Sequence, residues 1–79
     1  MKITYDSEAD AMMIYLKEGK IQATHSREIV PARLIIRFDE AENPIRIELL
    51  AVTKYVDDPT HATVIDLVQQ AIAAGDRAK

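Results

Sequence analysis

Apolar and polar residues alternate through Lys2-Ile3-Thr4-Tyr5, break at Asp6-Ser7-Glu8-Ala9-Asp10, and resume as the apolar run Ala11-Met12-Met13-Ile14-Tyr15-Leu16. Strand patterns on either side of a short polar connection predict a β-hairpin. Glu, Ala, Met and Leu would also suit a helix over Glu8 to Leu16; the strand, continued to Lys17, is the preferred reading. Glu18-Gly19-Lys20 carries turn chemistry, and Ile21 to Ile29 suits a third, more exposed strand whose end Pro31 confines to an edge or a loop.

Arg33 to Asp39 and Ile45 to Val52 flank the turn-rich Glu40-Ala41-Glu42-Asn43-Pro44 and predict a second hairpin. Charge suggests its register. With Asp39 opposite Arg46, Arg37 falls opposite Glu48 on the same face, and Phe38–Ile47, Ile36–Leu49 and Leu34–Ala51 pair on the other face as a core. A slip of one residue would turn Phe38 toward a charged partner. After the break at Val56-Asp57-Asp58-Pro59, a helix is expected from about Thr60 to Ala74. Val64, Ile65, Val68, Ala71 and Ile72 share a face, with Leu67 at its margin and Gly75 placed to end it.

These elements predict one α+β domain over residues 1–79: a small antiparallel sheet of four or five strands (two hairpins plus an edge strand) in region 2–54, packed on one C-terminal helix at about residues 60–74. A helix of that length covers one sheet face only. Met12, Ile14 and Leu16 are expected to meet it. Met13 and Tyr15 point to the opposite face, where the second hairpin adds Ile35, Leu50 and Val52, so these five residues are the expected dimer contact. A sheet curled around both sets within a monomer is the competing arrangement.

Size strengthens the dimer expectation, because a 79-residue chain buries only about 60% of the surface its unfolded form exposes. The chain has no cysteine, so neither disulfides nor thiolate metal sites supplement the core. Neither a secretory leader nor an apolar stretch of membrane-spanning length is visible, so the expected location is cytoplasmic and no membrane partner is expected. Thirteen acidic residues against 10 basic ones, the latter scattered, argue against an extended nucleic-acid surface. The local group Lys17, Lys20 and Arg27 reads as solvated charge.

Asp6, Glu8 and Asp10 at alternate positions resemble the start of a calcium loop. The glycine and distal glutamate that such a loop requires are replaced by Ala11 and Lys17. Asp6 and Ser7 are better read as turn residues bonding to nearby backbone amides. His25, Ser26 and Glu28 supply the residue types of a catalytic triad, but neighbouring strand residues point to opposite faces. His61, placed in the expected first helical turn, reads as a surface group. Tyr5 and Tyr15 could stack on a base, but without a glycine-rich loop they read as packing residues. No catalytic constellation, metal or cofactor is expected, and Asp6, Glu8, Asp10 and His25 are the candidates for any small functional site.

Tyr5 to Leu16 resembles the opening of the small bacterial proteins grouped as DUF2283, in which Tyr-Asp-x-Glu-Ala-Asp-Ala leads into an apolar strand. Asp39 with Asn43 to Leu50 resembles the family's later hairpin, and Leu50-Ala51-Val52-Thr53-Lys54 its Leu-x-Ala-Ser-Lys ending. Arg46 and Thr53 stand where the family commonly has glycine and serine. The resemblance covers residues 2 to 54 and implies no catalytic residues; some members look like partners of small toxins. The expected role is a non-enzymatic protein-interaction module, homodimeric and antitoxin-like toward a small protein partner. The alternative is a hydrolase or ligand-binding protein with a composite site at the dimer seam.

Overall fold

A computed structural model describes residues 2–19 and 21–77; Lys20, part of the expected turn and basic group, lies outside them. Five strands form one antiparallel sheet: β1 (Lys2–Asp6), β2 (Ala11–Tyr15), β3 (His25–Val30), β4 (Leu34–Phe38) and β5 (Pro44–Leu50), in the order β1-β2-β5-β4-β3. A 3-10 turn (Val52–Lys54) and the helix α1 (Val64–Arg77) follow. The two hairpins and the exposed edge strand match the sequence reading, although the third strand starts at His25, later than expected.

The faces follow side-chain parity. Met12 pairs with Leu49, Ile14 with Ile47, and Leu34 with Leu49, which puts one apolar set on the face toward α1. There Met12, Ile14, Leu34 and Leu49 join Val30, Val52, Val56, Leu67 and Ala71 in the core, with Leu16 packed against them. The second hairpin keeps these faces but slips two residues from the expected register: Leu34 lies opposite Leu49 and Arg37 opposite Arg46. Turn chemistry explains the slip. Asp39 accepts the Asn43 amide on its carboxylate at 2.9 Å and its own amide donates to the Asn43 carbonyl at 3.0 Å, so it closes the turn instead of facing Arg46. Glu42 takes the left-handed conformation, φ 65°, that this tight closure needs. A slip by an even number leaves every side chain on its expected face, so only turn geometry could choose between the two registers.

Val52 departs from its expected place. The pleat ends at Leu50 because Ala51 is left-handed, φ 52°, and the Val52 amide then donates to the Asp10 carbonyl at 3.1 Å. The side chain turns into the core, fully buried, and so leaves the expected dimer contact.

The helix begins four residues later than predicted. Asp58 accepts both the Thr60 amide and hydroxyl, the latter at 2.7 Å, in a turn of its own that holds His61 outside the helix. Thr63 supplies the cap, its hydroxyl accepting the Asp66 amide at 3.1 Å. Starting there puts Leu67 and Ala71 at the centre of the buried face, flanked by half-buried Val64 and Val68. Ile65, 68% exposed, and Ile72 fall outside it, contrary to the helical face read from the sequence. Gly75 does not end the helix. It lies within α1 against β3, where a Cβ would collide with Val30 Cγ1.

That close approach is testable. Gly75→Ala should destabilise the domain by about 1 kcal/mol net in urea unfolding, since overpacking of ~1–3 kcal/mol outweighs the helix-propensity gain of about 1 kcal/mol. Adding Val30→Ala should make the Gly75→Ala step neutral or stabilising; a penalty that persists would rule out the contact as its cause.

Candidate functional site

The acidic turn resolves into two roles. The Asp6 carboxylate accepts the amides of Glu8 at 3.0 Å and Ala9 at 3.3 Å, an Asx turn that closes the first hairpin. Asp10, left-handed at φ 51°, points its carboxylate across the end of the sheet. It accepts the Thr53 amide at 3.1 Å, the Thr53 hydroxyl at 2.7 Å and the Tyr5 hydroxyl at 2.8 Å. The Thr53 hydroxyl, opposed by desolvation but helped by Tyr5, holds Asp10 below the usual carboxylate range, and the bond to Asp10 raises Tyr5. Glu8 stays exposed. No group of three or more His, Cys, Asp or Glu that could hold a metal ion occurs among the described residues.

The face opposite α1 carries Ala11, Met13 and Tyr15 from β2, Glu48 and Leu50 from β5, and Ile35 and Arg37 from β4. Met13, Tyr15, Ile35 and Leu50 are half-buried. At their centre Glu48 is only 6% exposed. Arg37 grips its carboxylate through Nε and Nη2, the latter at 3.2 Å, and Arg46 Nε donates to it at 3.1 Å. The Arg37 hydrogen bonds, against desolvation, keep Glu48 below the usual carboxylate range, and Glu48 raises Arg37. Arg46 also lies over the Tyr15 ring, 5.9 Å from its centroid. Sequence charge indicated the Arg37–Glu48 pair; Arg46, two residues before Glu48 on β5, shares its face by strand parity and joins the pair.

His25 stands on β3, at the edge of the sheet opposite β1, so the four candidates from the sequence do not converge. Its ring stacks on Phe38 at 5.3 Å and 7°, with the Arg27 guanidinium 5.2 Å from the same Phe38 ring. Ser26, opposite Arg37, points to the other face, so the residues of a triad remain separated. A cleft of about 360 Å³ opens beside Tyr15, Ile21 and Gln22, but its cations Lys17 and Arg46 already pair with Asp39 and Glu48. Tyr55 closes the corner beneath Ala51: its hydroxyl donates to the Leu50 carbonyl at 2.8 Å, and burial pushes its pKa up to about 12.

The family model described as "Protein of unknown function (DUF2283)" matches residues 2–52. The chain belongs to the DUF2283 family. No curated protein and no solved structure matches it. The DUF2283 match spans the whole sheet and stops one residue short of Thr53, leaving α1 outside. Within it, the side chains of Tyr5, Asp6 and Asp10 serve the two turn networks described above, whereas Ser7 and Glu8 are exposed. Thr53, where the resemblance places serine, supplies the hydroxyl that binds Asp10, a function either residue can perform. No helix among the described residues is long and apolar enough to cross a membrane.

Asp10 should contribute to stability at neutral pH and lose that contribution in acid. A depressed folded-state pKa stabilises fully above the unfolded value of about 3.9 and fades as pH falls through the folded value. In thermal melts Asp10→Asn should therefore lower Tm at pH 7, and the gap to the parent should narrow below about pH 4. Glu8→Ala should leave Tm unchanged; an equal loss for both would refute a stabilising role for the Asp10 bonds to Thr53 and Tyr5. Glu48→Ala, which leaves Arg37 and Arg46 facing each other, should cost about 2–3 kcal/mol by urea unfolding.

Proposed function

We propose that this chain is a non-enzymatic protein-interaction module that works as a homodimer, the open face of one copy covering that of the other. The observation that carries this reading is the half-buried set Met13, Tyr15, Ile35 and Leu50 around the Glu48 ion cluster, on the face away from the single helix. A chain this small gains proportionately more from added buried area than a larger one does. A second copy fits the surface because a two-fold interface is self-complementary: apolar side chains meet their equivalents, while each ion cluster, two guanidiniums on one carboxylate, keeps a net charge of +1 that the contact must leave in reach of water on the partly exposed arginines. Strands about 4.8 Å apart with a rise of about 3.3 Å per residue give a footprint near 20 Å square, roughly 800 Å² over both copies, in the range of weak and transient contacts, so the dimer is reversible.

The composite-site alternative draws no support from the arrangement of Asp6, Glu8, Asp10 and His25. Asp6 and Asp10 are engaged in turn and corner bonds, and His25 lies at the far edge. The antitoxin-like form of the reading places another small protein on the same face.

Light scattering at tens of micromolar should give twice the chain mass. Met13→Asp and Ile35→Asp should each reduce it to the monomer with the circular dichroism spectrum unchanged, since both side chains are half-buried and lie outside the core cluster. A parent chain that is monomeric in isolation would overturn the homodimer. Copurification of a stoichiometric small protein from the native host, lost on Met13→Asp, would then assign the face to that partner.

A further inference from the structure

The two edges of the sheet are not equivalent. β3 shifts register between Glu28 and Val30 and runs directly into Pro31, and its Arg27 and Glu28 are exposed. A bulge, a proline and charges are the usual means of blocking an edge against further pairing. β1 pairs with β2 in unbroken register over Lys2–Asp6, carries no proline, and leaves Ile3 44% exposed.

The hydrogen-bond phase shows what this edge presents. Leu16 N–H donates to the Ile45 carbonyl at 2.9 Å, so Met12 and Ile14 direct their backbone groups to β5, and Ala11, Met13 and Tyr15 direct theirs to β1. Their partners Asp6, Thr4 and Lys2 bond inward, and Ile3 and Tyr5 turn N–H and C=O outward.

We propose that β1 is a second self-association surface, pairing antiparallel with β1 of another copy about a two-fold axis at Thr4. In this register Ile3 faces Tyr5 of the other copy, twice, and each pair exchanges both backbone bonds. Lys2 faces Asp6 of the other copy on the open-face side, again twice. A lysine on an edge strand ordinarily opposes pairing, but here the symmetry sets it against a carboxylate. Symmetric registers displaced by one step to either side satisfy the same backbone phase but place Lys2 or Asp6 against Thr4, forfeiting the charge match. The interface also covers Ile3, which projects from the α1 side of the sheet beside Tyr5. The product is a continuous ten-stranded sheet, counted as two five-stranded sheets joined edge to edge. Short strands pair weakly by themselves, so this association belongs to a higher concentration range than the open-face dimer.

Ile35 lies on β4, three strands from β1, so the edge is tested in the Ile35→Asp background. There, light scattering and amide exchange by NMR are compared between micromolar and millimolar protein. The expected result is a doubling of mass at millimolar concentration, with Ile3 and Tyr5 amide exchange slowed at least about tenfold. Ile3→Pro removes an outward donor and no bond to β2, so it should preserve the circular dichroism spectrum and abolish both effects. Lys2→Glu and Asp6→Lys should each weaken association at least about tenfold, and an equimolar mixture of the two should restore it, since every facing pair is then opposite in sign. A monomer at millimolar concentration, unchanged exchange at Ile3 and Tyr5, or association that survives Ile3→Pro would each overturn the proposal. None of these outcomes decides the open-face reading, which stands or falls on the mass of the parent chain and its Met13→Asp variant.

Discussion

A five-stranded sheet has two faces, and the described residues supply a single α-helix of 14 residues, about 21 Å long, to cover them. Leu67 and Ala71 bring that helix onto the core face, but its backbone approaches mainly β3 and β4. The rest of the core closes only because the segment after β5 folds back over the sheet and contributes Val52 and Val56. That reversal depends on Ala51 in a left-handed conformation and on Asp10, whose carboxylate receives two donors from Thr53 and one from Tyr5. One acidic residue in the first hairpin thus ties the start of the sheet to the turn that completes the core.

The same shortage of cover shapes the other face. An exposed all-apolar sheet surface would favour unselective aggregation, whereas here the apolar side chains surround an ion cluster of two arginines on one carboxylate, with a net charge of +1. Arg37 and Arg46 lie directly opposite each other, a repulsive pairing by itself, and Glu48 between them reverses its sign. With Glu48 6% exposed, removing it would leave a charge problem as well as a cavity. The cluster thereby orients both arginines and leaves Met13, Tyr15, Ile35 and Leu50 as the side chains able to contribute apolar area to a contact.

Membership of DUF2283 takes on a physical meaning in this light. The most specific stretch of the chain, Tyr5 to Asp10, is occupied with hydrogen bonds that build a turn and a corner. Residues of that kind identify a fold without identifying an activity.

Strand alternation decided much before any packing is considered. Parity assigned Met12 and Ile14 to one face and Met13 and Tyr15 to the other, and it kept Leu34, Ile36, Leu49 and Arg37 on their correct sides even though the register differed by two residues. Parity is blind to even slips, so Asp39 and Asn43, by closing the turn, settled the pairing. The helix was readable as a helix, but its buried face was not, because Ile65 and Ile72 have the same hydropathy as residues that pack, and only the cap at Thr63 and the approach of Val30 to Gly75 orient it. Val52 looked like a strand residue on the open face until Ala51 reversed the chain. The Asp10–Thr53 bond spans most of the sequence, and no local pattern contains it. The chain itself therefore determines elements and faces, which depend on neighbours a few residues apart; the tertiary structure decides register, helix rotation and the use of each acid, because those depend on which distant backbone groups need a partner.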